Sequence, residues 1–115
     1  MVNISSTAAL SPRPGLTWYT ASKGAVANLT KGMATDWARH GLQCNGLAPG
    51  YFRTPLNAAL VADPEFTAWL ERRTPAGRWG RVEELVGACI FLASDASSFI
   101  NGTVIYVDGG ITASL

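Results

Sequence analysis

The chain is short of charge, of histidine and of cysteine. Asp, Glu, Lys and Arg make up 15% of its 115 residues and the net charge is +1. That balance gives no electrostatic reason to expect nucleic acid or an anionic membrane as a partner. The single histidine, His40, and the two cysteines, Cys44 and Cys89, form no metal-ligand spacing, so no metal site is expected. Both cysteines lie in apolar runs and read as small buried residues. The densest basic run is only Arg72-Arg73, which reads as a solvated helix end. No apolar run reaches transmembrane length, and the first residues lack the charged-then-apolar plan of a signal peptide, so a cytoplasmic location is expected. Internal repeats and low-complexity segments are absent. What is present, 48% hydrophobic residues over the length of one ordinary domain, suits a single globular unit.

The pattern along the chain predicts an α/β layer. Residues 1 to 5 read as the end of a short strand, and "SPRPGLT" at 11 to 17 as an irregular loop. From Trp18 the apolar residues Val26, Leu29, Met33 and Trp37 recur at helical steps, and Gly41 stands where a helix needs a left-handed terminus. "LQCNGLAP", 42 to 49, reads as a second strand covered on both faces. "DPEFTAWLERR" reads as a helix with Asp63 as N-cap and Pro64 in the first helical position. A third helix is expected over 82 to 93, with Leu85, Val86, Cys89, Leu92 and Ala93 facing inward, and a last strand over 103 to 107. Long helical crossovers between strands imply that the strands are parallel.

One spacing carries chemistry. Tyr19 and Lys23 are four residues apart, so on a helix they share a face and their heads can approach one point. A phenol is a poor base near neutral pH, but an ammonium beside it stabilises the phenolate. The pair then becomes a usable proton donor and acceptor. Ser6, delivered from the strand end, can hydrogen-bond the same reacting oxygen. Such a trio suits proton exchange with an alcohol or carbonyl oxygen. Acyl transfer by a serine nucleophile is disfavoured, because no G-x-S-x-G elbow surrounds Ser5 or Ser6 and no His-acid pair accompanies them.

Three blocks, "NISS" with "YTASKGAV" after it, "CNGLAPGYFRT" and "FLASDASSFINGTVIYVDGG", resemble in order and spacing the short-chain dehydrogenases/reductases. The resemblance covers essentially the whole chain and implies roles by position. Ser6 would hydrogen-bond the substrate carbonyl, with Ser5 structural. Tyr19 would give and take the proton. Lys23 would bind the nicotinamide ribose hydroxyls, and Pro49, Gly50, Phe52 and Thr54 would line the nicotinamide pocket of NADP or NAD. Asn45 would fix the turn around the site. The segment from Thr54 to Arg73 would be a substrate lid. Its sequence resembles members acting on sugar acids, for which Arg13, or alternatively Arg53, would meet the carboxylate. The resemblance also implies a small-molecule alcohol or ketone substrate and a homo-oligomeric parent.

The family's Gly-rich strand-turn-helix, which holds the dinucleotide pyrophosphate, is not found in this sequence. The fold expected is therefore the C-terminal part of a Rossmann-like doubly wound parallel sheet lacking the N-terminal dinucleotide-binding strands. Residues 1 to 115 are expected to form the catalytic and lid portion of one domain. Its first strand is expected to show an unpaired edge. The isolated chain is expected to be inactive, with a non-catalytic remnant that associates with full-length subunits as the alternative reading.

Overall fold

A computed structural model describes residues 1–114. Three short strands, β1 (Val2–Ile4), β2 (Asn45–Pro49) and β3 (Val104–Val107), form one parallel sheet in the order β1-β2-β3. Val2 lies opposite Asn45, and Gly46 opposite Val104. The helix α1 (Thr17–Trp37) joins the first two strands. Between β2 and β3 come α2 (Ala58–Ala62), α3 (Pro64–Arg73) and α4 (Val86–Leu92).

Local chemistry sets the boundaries. Asp63 accepts hydrogen bonds from the amides of Glu65 and Phe66, and Pro64 opens α3 with a residue that has no amide to satisfy. Beyond α1 a single 3₁₀ turn ends at Gly41, whose φ of 74° is left-handed and suits glycine. Strand β2 is shorter than its apolar run suggests, because residues 42 to 44 precede the ladder without joining it. Buried Asn45 bonds the Ile100 carbonyl and the Thr103 amide. It ties β2 to the loop before β3 rather than fixing a turn beside the candidate site.

Two faces differ from expectation. The buried side of α1 is centred on Thr30 and Ala34, and Leu29 is 57% exposed. The expected α4 opens as a 3₁₀ turn over Val82–Leu85; Val86 and Cys89 are exposed and only Leu92 of its helical turns is buried. Cys44 is buried as expected. Amphipathic spacing identifies an apolar stripe correctly, but the stripe is buried only where another element covers it. The same holds for β1, which pairs with β2 alone among the described residues and leaves Ile4 52% exposed. The radius of gyration, 15.1 Å, exceeds the roughly 13 Å of a compact domain of this length. No helix is long and apolar enough to cross a membrane among the described residues.

The best-packed core sits beside the sheet. Leu70 of α3, Trp79 and Ile111 are buried together, with Tyr51, Leu60, Val61 and Phe66 against them. Gly80 is required here, since a Cβ would come within 2.7 Å of the Phe52 ring.

Candidate active site

A parallel sheet presents the carboxyl ends of its strands on one side, where open α/β sheets bind ligands. Here the segments leaving β1, β2 and β3 carry Ser6, Gly50 with Tyr51, and Ile111 with Thr112, and all of these line one cleft of about 340 Å³. Tyr19 and Arg13 enter it from the loop and first turn of α1, and Leu56, Leu60, Trp69 and Arg73 from the segment that runs through α2 and α3.

The join between β1 and α1 is reciprocal. The Ser5 hydroxyl donates to the Lys23 carbonyl at 2.9 Å, and the Lys23 ammonium donates back to the Ile4 carbonyl at 3.0 Å. This clamp fixes the strand end that bears Ser6 against the helical turn that bears Tyr19. Ser6 caps a 3₁₀ turn over Thr7–Ala9, its Oγ accepting from the Ala8 amide at 3.1 Å. The hydroxyl proton is thereby left to donate toward the cleft. Lys23 Nζ lies 5.8 Å from the Tyr19 ring centroid, and Trp18 packs edge-on against that ring. Ser6, Tyr19, Arg13 and Gly50 are thus brought together, with Lys23 at the back of Tyr19.

Of the other expected residues, Pro49, Phe52 and Thr54 flank Gly50 in sequence without lining this cleft. Pro49 ends β2, and Gly50 admits no side chain, because a Cβ would meet Asp108 at 2.8 Å. Phe52 is buried and faces a smaller pocket of about 130 Å³ with Arg78, Glu84 and Asp108. Thr54 caps the turn before α2 through a bond from the Asn57 amide. Arg53 is exposed and lines neither pocket.

Arg13 lies over the rings of Phe66 and Tyr51, 5.0 and 5.9 Å from their centroids. Stacking holds the guanidinium while leaving its N–H edges for a ligand. Burial pushes the Tyr51 phenol above its ordinary pKa, and the Arg13 charge pulls it partly back. Tyr51 therefore stays a hydrogen-bond donor at neutral pH. No acidic side chain lines the cleft among the described residues.

The sequence reading missed Tyr51, Trp69 and Arg73. Arg73 does not have the solvated end expected of the Arg72-Arg73 pair: it donates to the Ser114 hydroxyl and carbonyl. A signal existed, since Trp69 and Arg73 are four apart and share the face of α3 that bears the cleft.

The profile of a family described as enoyl-(acyl carrier protein) reductase matches residues 1–112. The chain belongs to this family, within the short-chain dehydrogenases/reductases. Gluconate 5-dehydrogenase of Gluconobacter oxydans is 70% identical over 115 residues, all of this chain and 45% of that protein. The 5-keto-D-gluconate 5-reductase of Escherichia coli K12 is 52% identical over the same length and share. A gluconate 5-dehydrogenase from Burkholderia cenocepacia, solved with NADP and tartrate, superimposes with a TM-score of 0.97 at 60% identity, covering 99% of this chain and 45% of that one. This short-chain dehydrogenase/reductase chain therefore spans under half the length of the relatives it matches, and its sheet is a small parallel portion of their Rossmann-like fold.

The fit to a nicotinamide dinucleotide is partial. Tyr19 and Lys23 stand at the carboxyl edge of the sheet, the side on which open α/β sheets bind ligands, and bring a hydroxyl and an ammonium there. Neither pocket is lined by a run of glycine amides at a helix start, which a pyrophosphate would need.

Proposed function

We propose that this chain is the catalytic and lid-bearing C-terminal portion of a single short-chain dehydrogenase domain that interconverts an alcohol and a ketone, the substrate being a sugar acid such as gluconate or 5-keto-gluconate. The observation that carries the reading is the Ser5–Lys23–Ile4 clamp, which sets Ser6 and Tyr19 into one cleft. NADP or NAD, when bound, supplies or accepts the hydride. Lys23 and the Pro49–Gly50 turn would hold the nicotinamide end, with Phe52 and Thr54 behind it. Ser6 donates to the carbonyl oxygen and orients it. Tyr19 delivers the proton to that oxygen in reduction and removes it in oxidation. Arg13 receives the carboxylate, in a cleft whose lining carries no competing acid.

The test is Tyr19→Phe in the full protein that carries this sequence. Turnover of 5-keto-gluconate with NADPH should fall by about 10²–10⁴-fold. An unchanged rate would move the acid elsewhere. The purified 115-residue chain should show no turnover by itself.

A second reading, a non-catalytic chain that associates with full-length subunits, is favoured by the large apolar side chains exposed at Trp18, Leu29, Ile90 and Phe99. It predicts co-purification with such subunits and no activity of its own; homo-oligomerisation of the parent would use the same faces.

A further inference from the structure

The segment after β3 lines the cleft without regular structure of its own. Residues 109 to 113 are turns, yet Ile111 is buried in the Leu70 and Trp79 core, and Ile111 and Thr112 form a wall of the cleft. The near end of this segment is held by Asp108, whose carboxylate accepts from the amides of Gly110 and Thr112 at 2.9 and 3.1 Å and from the Thr112 hydroxyl. The Gly109 carbonyl accepts from the Ala76 amide at 3.0 Å. The far end is held by Arg73, the last residue of α3, whose guanidinium donates to the Ser114 hydroxyl and to its carbonyl at 3.1 Å. The Ser114 hydroxyl passes a weaker bond to the Ile111 carbonyl at 3.3 Å. Arg73 also lines the cleft itself. One side chain thus touches the lid, the tail and the ligand space.

We propose that Arg73 is a positioning residue that pins the segment 108–114 as a wall of the cleft and so sets the fit of the substrate. The proposal rests on reading the cleft as the substrate site. A guanidinium suits the task because its planar fork reaches a hydroxyl and a carbonyl at once; an ammonium concentrates its charge at one point and holds such a pair less rigidly. Arg72, next in sequence, faces solvent.

The experiment compares the full protein with Arg73→Met, Arg73→Lys and Ser114→Ala by amide hydrogen exchange and by steady-state kinetics. Bonds from a charged donor are among the stronger ones, so exchange at residues 110–114 should rise about tenfold in Arg73→Met while β2 keeps its protection. KM for 5-keto-gluconate should rise about tenfold with kcat within about threefold, and Arg73→Lys should recover part of the loss. Should Arg73→Met fail to fold, Ser114→Ala decides, with a smaller rise at the same amides. Unchanged exchange at 110–114 in both variants overturns the proposal, as does raised exchange with an unchanged KM. A wild-type protein that turns over no sugar acid sinks the substrate reading instead, and the exchange arm then decides the tie alone.

Discussion

Around Trp79, α3 and the segment after β2 gather aromatic rings at centroid separations of 5.3 to 6.1 Å, and the indole N–H finds the Thr67 hydroxyl at 3.2 Å. Along β1 and the outer faces of α1 and α4, by contrast, Ile4, Leu29, Val86 and Ile90 stand in solvent. The α3 side closes its core with residues of this chain, whereas the sheet buries Leu47 and Ala48 of β2 but leaves β1 and the outer helix faces open. The walls of the candidate site therefore come from within these residues, while the sheet beneath it has apolar faces with no cover among the described residues.

The sharpest way to break this contrast is Trp79→Ala. Removing a large side chain that is 2% exposed should cost about 3–5 kcal/mol, read as a lowered denaturation midpoint. If the lid core were as loosely covered as β1, the loss would be slight. Asp63→Ala should cost about 1 kcal/mol, because two amides at the start of α3 lose their acceptor. Leu29→Gln, on the open side, should stay within about 0.5 kcal/mol, and a larger loss would mean that something covers α1 in solution.

A pH titration probes the edge of the lid core. Hydrogen bonds from Arg78 and from the Arg81 amide hold the Glu84 carboxyl down at about 2. Its folded pKa lies below the ordinary 4.5, so its stabilising effect is complete above that value and is lost as pH falls toward 2. Amide exchange at Arg81 and Glu84 should rise across that window and stay flat above it. The Arg78–Glu84 pair sits at the surface, where water screens it, so this is the smallest of the expected effects on global stability.

Much of the fold was legible because local chemistry dictates it. Asp63-Pro64 announced the start of α3, Gly41 the end of the α1 region, and the Tyr19–Lys23 spacing the approach of the ammonium to the ring. What failed depends on contacts far away in the chain. Spacing marked Cys89 and Val86 as apolar-face residues, but burial requires a neighbour that sequence periodicity does not name. Arg73 looked like its neighbour Arg72 until Ser114, 41 residues on, supplied its acceptors. Tyr51 joined the site only because Arg13 and the lid rings converge on it.

The parallel register has a kinetic consequence. Neither strand pair can form from a tight turn: the bond from Thr103 to Asn45 spans 58 residues and that from Met1 to Gln43 spans 42. The entropy of closing such loops differs by only about 0.3 kcal/mol, too little to choose which closes first. Side-chain ties make that choice. Gln43, Asn45 and Asn101 all bridge β2 to the approach to β3, so the later-synthesised pair should zip early and the amino-terminal strand dock onto it last.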